Sequence, residues 1–255
     1  MHAPAPRRAF SAREHLNTAP LYLYCGTMKL QYLWHSFFKI SFDGATILVD
    51  PFIDMPAGEN SYKALLKCPV DAQKISGIDA ICVSNEHFDH FDRNAVETIA
   101  RRDKAVVVGH ESVLNELNLP NDLKHNVKVG ENFSLRGVNI SVMGAHYPNS
   151  FYPMSFVFRK GGESVFFAGN TALMDSFAEI KSDVALLPIG GNSTMDVIDA
   201  VRATKTMKPK FVIPMHYNSF DTMLADPNDF KQRIEKSILK TVPVILKPGQ
   251  VFKTP

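Results

Sequence analysis

Val83-Ser84-Asn85-Glu86-His87-Phe88-Asp89-His90 sets two histidines and an aspartate within four residues, directly after the apolar run Ile78 to Val83. That run is short, apolar and β-branched at both ends, which predicts a buried strand. A strand end suits metal-binding groups, because the strand is rigid and the loop beyond it can turn inward. His87 and Asp89 are two residues apart, so in an extended segment they project to the same side. His90 follows at once and faces a neighbouring position. One short loop can therefore serve two adjacent metal ions. An isolated histidine beside a strand is usually an ordinary polar loop residue. His-x-Asp-His is a much rarer cluster and has the ligand types that zinc takes.

Working outward, Leu30 to Phe42 reads as two short strands around Trp34-His35-Ser36, and Ala45 to Val49 as a third. Asp43-Gly44 between them is a pair favoured in tight hairpins. Residues 55–76 read as loop, with one short helix near Tyr62 to Leu66, and a loop of that length beside a site suits a substrate rim. Asn94 to Arg101 reads as a helix with Ala95, Val96, Ile99 and Ala100 on one face and Asp92 as its cap. Ala105 to Val108 reads as a strand and Glu111 to Leu117 as a short helix. Val127 to Val129, Leu135 and Val138 to Met143 read as strands with turns at Gly130 and Gly137. Beyond these, Phe156 to Phe158 and Val165 to Phe167 flank the turn Lys160-Gly161-Gly162-Glu163. Val184 to Leu187 and Phe211 to Ile213 read as strands. Met195 to Met207 reads as a helix with Val197, Ile198 and Val201 inward, and Asp229 to Ile238 as another. Val242 to Leu246 closes the series with a turn at Pro248-Gly249. Strand-helix-strand alternation followed by hairpins indicates a mixed α/β sandwich rather than a purely parallel sheet. The second half repeats the style of the first, which suits two packed sheets with outer helices.

Four of the nine histidines stand at the ends of apolar, strand-like runs. His87 and His90 follow Ile78 to Val83, His146 follows Val138 to Met143, and His216 follows Phe211 to Ile213. Strand ends on one edge of a sandwich converge, so these side chains can meet despite their separation in sequence. Phe167-Ala168-Gly169-Asn170-Thr171 follows another strand, and Gly169 permits a sharp turn that aims Asn170 at the same edge. His2, His15, His110 and His125 lack such placement and suit surface or cap roles. Tyr147, Phe151 and Tyr152 suit either an apolar pocket wall or ordinary packing.

The composition excludes several classes. With 255 residues, 45% hydrophobic and 21% charged, the chain has the balance of an ordinary globular domain. A formal charge of +2, from 28 basic against 26 acidic residues, gives no electrostatic footprint for nucleic acid or an anionic membrane. Cys25, Cys68 and Cys82 form no C-x-x-C pair and are odd in number, which reads as reduced thiols and a cytoplasmic setting. Cys82 lies inside the apolar strand as a small core residue. No apolar run approaches the ~20 residues a bilayer span needs. Arg7, Arg8 and Arg13 are followed by no apolar stretch of the kind a signal peptide carries. Residues 1–27 have no clean period and read as a tail or extension, with one domain over 28–255.

These features together resemble the metallo-β-lactamase superfamily, in which the central loop reads His-x-His-x-Asp-His. Further carriers of the resemblance are Trp34-His35-Ser36, Leu48-Val49-Asp50-Pro51, Ala168-Gly169-Asn170-Thr171, Leu187-Pro188-Ile189-Gly190-Gly191 with Thr194-Met195-Asp196, and Ile213-Pro214-Met215-His216-Tyr217. The chain is most similar to the small metal-dependent hydrolases related to ascorbate-6-phosphate lactonase, and more distantly to the phospholipase D acting on N-acylphosphatidylethanolamine. The resemblance implies a four-layer αβ/βα sandwich with up to two divalent ions at one edge. It assigns the first ion to Asn85, His87 and His146, the second to Asp89, His90 and His216, and a bridge to Asn170. Zinc is the first expectation, with manganese, iron or nickel as alternatives. Asp89 and His35 are the expected catalytic residues, His35 through a substrate contact or through orienting a ligand.

Two positions depart from that pattern. Asn85 stands where the family has its first histidine, and Asn170 where it has the bridging aspartate. An amide oxygen is a weak, neutral ligand, and a bridge without negative charge compensates two cations poorly. The expectation is therefore one ion, or none, and much reduced hydrolysis. The leading function is hydrolysis of an ester-type bond, a lactone, a phosphodiester or similar, in a small molecule. A binding protein that keeps the pocket without the chemistry is the alternative. A nuclease is disfavoured by the near-neutral charge and the absence of a basic, aromatic-interleaved patch. The pattern leaves a homo-oligomer open.

Overall fold

The computed structural model describes residues 28–56 and 62–255. The tail reading of residues 1–27, and with it Cys25, His2 and His15, lies outside the described residues. Among the described residues, two seven-stranded sheets pack face to face. In the first, β1 (Lys29–Trp34), β2 (Phe37–Phe42) and β3 (Ala45–Val49) form an antiparallel meander. Parallel strands β4 (Ala80–Cys82), β5 (Val106–Gly109) and β6 (Lys124–Asn126) extend it. The second sheet repeats the plan. Its antiparallel part is β7 (Asn132–Leu135), β8 (Val138–Gly144), β9 (Met154–Lys160) and β10 (Glu163–Phe167). Its parallel part is β11 (Val184–Pro188), β12 (Phe211–Met215) and β13 (Val242–Pro243). The last strand, β14 (Val251–Lys253), returns to the first sheet beside β1, a pairing the sequence pattern did not reveal.

Among the described residues, four α-helices cover the sheets. The helix α1 (Arg93–Asp103) packs on β4 and β5, and α2 (Glu111–Leu114) on β5 and β6. The helix α3 (Val197–Met207) packs on β11, and α4 (Pro227–Glu235) on β13 and α3. Each of α1, α3 and α4 is started by an aspartate, Asp92, Asp196 and Asp226, whose side chain accepts a free N–H of the first turn. Helices and sheets are thus the four layers expected.

Alternation explains the inner packing. Leu30, Tyr32, Phe38, Ile40, Ile47 and Val49 of the first sheet meet Ile140, Val142, Phe156, Phe158, Val165 and Phe167 of the second in one core. The opposite residues, Leu33, Phe37, Leu48, Ile81 and Val83, face α1 through Val96, Ile99 and Ala100. Cys82 is fully buried, as a small core residue should be.

Several local expectations differ. No helix forms at Tyr62 to Leu66; instead Ala64 bridges Phe220, with Leu65 donating to the Ser219 carbonyl at 2.9 Å. The backbone there pairs with the segment around Phe220 in place of closing a helical turn, and Leu65 and Leu66 are left exposed. Val127 is buried but the ladder runs three residues earlier, through Lys124–Asn126. Ile198 lies on the exposed side of α3, because the 3.6-residue period puts Ala200, Val201, Ala203, Thr204 and Met207 inward, with Val197 partly buried against the core, and turns position 198 away. The helix expected at Asp229 to Ile238 begins and ends earlier, after Asp226 and before Ile238, which is exposed. No helix among the described residues is long and apolar enough to cross a membrane.

Candidate metal centre

The functional groups gather where the strands of both sheets end. His35 sits in the β1–β2 turn, Asp50 follows β3, residues 85–90 follow β4, Asn170 follows β10, and His216 follows β12. His35, Asp50 and His216 all have positive φ, 53°, 48° and 58°. That conformation is uncommon for non-glycine residues and costs on the order of 1–3 kcal/mol where it is forced. At all three positions it turns the chain sharply, so that a rigid strand end delivers its side chain to one edge.

Two glycines are needed for the approach. Gly169 has φ +61°, and a Cβ there would lie 2.8 Å from the Met154 carbonyl oxygen and 3.0 Å from Ser84 Oγ. Asn170 is thereby carried close to the central loop. Gly190 lies against the His216 carbonyl so tightly that any Cβ would collide with it.

Asp89 is the hub. Its Oδ2 is 3.1 Å from His35 Nε2 and 3.2 Å from His216 Nε2, and its Oδ1 is 2.6 Å from His87 Nδ1. His90 Nε2 stands 3.8 Å from Asp89 Oδ1 and has no hydrogen-bond partner. The ring beyond it is fixed from behind: His90 Nδ1 donates to Asp50 Oδ2 at 2.5 Å. Asp50 also accepts from the Ser84 N–H at 2.7 Å and the Ser84 hydroxyl at 2.6 Å. Asp50 thus ties β3, β4 and the central loop together. Its place after a strand and before Pro51 is the signal, yet the sequence reading gave it no role.

The electrostatics follow from burial. Burial alone would raise the Asp89 carboxyl, but the charge of His90 and the hydrogen bonds from His216, His35 and His87 hold it well below the usual carboxylate range. Burial, then the neighbouring His216, lowers His35 to about 3. Burial lowers His216 also, against the pull of Asp89. For His90 burial is outweighed by Asp89 and Asp50, which raise it.

The expected residues divide. His35, Asp89, His90 and His216 are all buried, and one ligand atom from each lies within 4.8 Å of the others. His87 joins them through Asp89 and is partly exposed at 18% of its side chain. Asn85 is buried, with its amide N–H on Ser84 Oγ at 3.0 Å and its oxygen accepting the His87 N–H at 3.0 Å. Asn170 is fully buried with neither polar side-chain atom partnered. His146 is exposed; its backbone N–H is held by Thr171 Oγ1 at 3.0 Å. His110 caps α2 and is buried against Tyr152, ring centroids 3.9 Å apart, and His125 is exposed on β6.

This donor set fits a divalent transition metal. Three imidazole nitrogens and a carboxylate are the ligands zinc takes, and His90 has the aspartate behind it that orients a ligating histidine. With Nδ1–H engaged by Asp50, the buried Nε2 of His90 is left facing an anionic oxygen, an arrangement that a cation satisfies.

Around the cluster, Trp34, Phe52, Phe220 and Met223 form a buried apolar base, with Tyr62 and Phe88 against it. The aromatics near His146 do not form one wall. Tyr147 packs its ring edge-on to His87 at 5.9 Å, Tyr152 stacks on His110, and Phe151 is 79% exposed. Glu86, missed by the sequence reading, holds their loop: its carboxylate accepts the Phe151 N–H at 2.6 Å and the Ser150 hydroxyl at 3.1 Å. A cavity of about 670 Å³ lies elsewhere, between Trp34, residues 53–55, residues 64–73 and the start of α1, and no member of the histidine cluster lines it.

Residues 29–216 match the model of the beta-lactamase superfamily domain. A UPF0173 metal-dependent hydrolase of Staphylothermus marinus is 36% identical over 236 residues, covering 89% of this chain and 99% of that one. One of Thermofilum pendens is 33% identical over 239 residues, with 89% and 99% covered. Among solved structures, Igni18, a metallo hydrolase from Ignicoccus hospitalis, is 30% identical with a TM-score of 0.76, covering 89% of this chain and 98% of that one.

Proposed function

The chain belongs to the metal-dependent hydrolases of the metallo-β-lactamase superfamily, and on that premise we propose that it cleaves an ester-type bond, a lactone, phosphodiester or similar, in a small molecule. The metal is zinc in first place, and the rate is reduced by Asn85 and Asn170. The observation that carries this reading is the buried cluster of His35, Asp89, His90 and His216, in which one carboxylate faces three imidazoles.

A divalent ion held there supplies Lewis acidity: it polarises the scissile group and acidifies water. The chain's own residues do the rest. Asp50 keeps the proton of His90 on Nδ1 and so keeps Nε2 free. Asp89 supplies the negative charge that offsets a cation. The apolar base of Trp34, Phe52 and Phe220 keeps water from the inner side, which strengthens the electrostatic interactions above it. His87, partly exposed, stands at the open side, where it can touch a substrate.

The two asparagines support reduced activity. Asn85 directs its amide to Ser84 and the His87 backbone. Asn170 brings no charge to a fully buried position. A second reading, a binding protein that retains the pocket, draws on the same two residues. Assaying Asn85→His with Asn170→Asp against lactone, phosphodiester and carboxylic ester panels, with metal added or chelated, separates the two. A chelator-sensitive gain supports the hydrolase; no gain on any panel overturns it.

A further inference from the structure

We infer that the rim of this edge selects an uncharged carboxylic ester or lactone carrying a large apolar group, in preference to a phosphodiester. The inference narrows the substrate of the hydrolase reading above and rests on it. The open side of the cluster is aromatic. Tyr62 stands perpendicular to the His87 ring, at an interplanar angle of 85° and with centroids 6.2 Å apart. Phe88 lies 4.8 Å from the same imidazole and 5.2 Å from Tyr62. His87, Phe88 and Tyr62 are all half-buried. The fully buried Phe220 closes the floor, 5.9 Å from both Tyr62 and Phe88. A substrate that reaches His87 is therefore met by aromatic carbon, which binds apolar groups through area and ring contacts.

The loops at the edge extend this apolar lining outward. Leu65 is exposed three residues after Tyr62, and its N–H donates to the Ser219 carbonyl, on the loop of His216, at 2.9 Å. Leu224 is exposed on that same loop, one residue beyond Met223 of the buried apolar base. Phe151 is exposed on the loop of His146, which Glu86 ties to the central loop beside His87. Single exposed apolar residues are ordinary, but several on the loops that border one site mark a ligand-binding surface.

Charge decides between the ester classes. The carboxylates of this edge are Asp50, Glu86 and Asp89, and among the described residues no lysine or arginine pairs with any of them. The groups acting on the Tyr147 hydroxyl, beside His87, are Asn149, Asp89 and Tyr62, again without a basic side chain. A phosphodiester keeps its negative charge from binding to product and is ordinarily held by arginine or lysine. Here it would meet carboxylates instead, and like charges brought together select against a ligand. A carboxylic ester or lactone is neutral and needs only the apolar rim.

The test uses the full, zinc-loaded chain with 4-nitrophenyl esters from acetate to octanoate, and bis(4-nitrophenyl) phosphate as the charged counterpart. The octanoate should exceed the acetate in kcat/KM by about tenfold or more, the gain from burying a few CH₂ groups. The phosphodiester should fall about 100-fold below the octanoate. Tyr62→Ser and Phe151→Ser should each lower the octanoate-to-acetate ratio about threefold or more, and Tyr62→Phe should keep it. Val251→Ser, at an exposed apolar position where β14 pairs with the far end of β1 from His35, should leave the ratio unaltered. Binding is read without turnover from Trp34, the single tryptophan, which stacks on Phe52 in the base beneath the rim. Its emission should respond to 2-decanone at lower concentration than to methyl decyl phosphate. A ratio near one, a ratio unmoved by both serine variants, faster cleavage of the phosphodiester, or tighter binding of methyl decyl phosphate would each overturn the inference and leave the hydrolase reading standing. Hydrolysis of no ester, with 2-decanone bound and its affinity lowered by Tyr62→Ser, would overturn the hydrolase reading and leave the selectivity of the rim standing. Neither hydrolysis nor binding would overturn both.

Discussion

The backbone N–H of His216 donates to the carbonyl of His35 at 3.0 Å, although the two residues belong to different sheets. Both take positive φ, and both turn Nε2 onto the same oxygen of Asp89. One hydrogen bond across the sandwich edge therefore registers the two sheets and the two imidazoles together. Whatever the edge binds is held by the join between the halves, so its geometry and the stability of the fold are linked.

Asp89 is the first residue to test that link. Replacing it with alanine leaves three imidazoles without their shared acceptor and removes the buried carboxylate that favours the protonated form of His90. Breaking a buried pair in this way costs about 3–5 kcal/mol. Urea unfolding of the metal-free protein should show that loss for Asp89→Ala, and metal titration should show no binding at the cluster.

Asp50 tests the orientation of His90. Asp50→Ala removes the acceptor of His90 Nδ1 and of two Ser84 donors. Groups that orient a ligating histidine are typically worth about 10–100-fold in metal affinity. Isothermal titration with Zn²⁺ should find a loss in that range, with one ion still bound at saturation.

The fold was legible in the sequence where period and caps agreed. Ile78 to Val83, the Asp43-Gly44 turn and the Asp92 cap each carried a local rule that tertiary packing did not oppose. Tyr62 to Leu66 misled because the backbone at Ala64 is held by a bridge to Phe220, a partner far along the chain. The strand Val251–Lys253 is too short to show a period. At the site, histidines after strands were readable as a class. Which of them meet was not, since that depends on turns such as those at His35 and His216. Asp50 and Glu86 act on other residues rather than on a reactant, so nothing in their own sequence neighbourhood announces them.

Glu86 offers a test of the loop that carries His146 and Tyr147. Glu86→Ala removes the acceptors of the Phe151 N–H and the Ser150 hydroxyl. Because that N–H is on an exposed loop, the stability cost should be small, about 1 kcal/mol. Hydrogen exchange at Phe151 should accelerate at least tenfold, while amides of β8 and β9 keep their protection.

The buried histidines set a pH dependence for the metal-free chain. His35, lowered to about 3, and His216, also lowered, stay neutral in the fold where the unfolded chain takes up protons below about 6.5. Stability therefore falls as pH drops below 6.5, by about 1.4 kcal/mol per pH unit for His35, with His216 acting in the same direction. Asp89, with its lowered carboxyl, contributes stability above the ordinary carboxylate range that is lost as pH falls through its folded value. His90 runs the other way: its contribution is full below 6.5 and is lost as pH rises through its raised value. Urea midpoints between pH 6.5 and 4 should fall for the unaltered chain and fall less steeply for His35→Gln. A flat profile would contradict the burial of these rings in neutral form.

Elemental analysis of the purified chain, alone and as Asn85→His with Asn170→Asp, addresses the central claim most directly. The account predicts about one divalent transition-metal ion per unaltered chain and a higher content, approaching two, in the double variant, together with chelator-sensitive hydrolysis of an ester-type substrate. Two ions in the unaltered chain, or no metal in either protein, would contradict it.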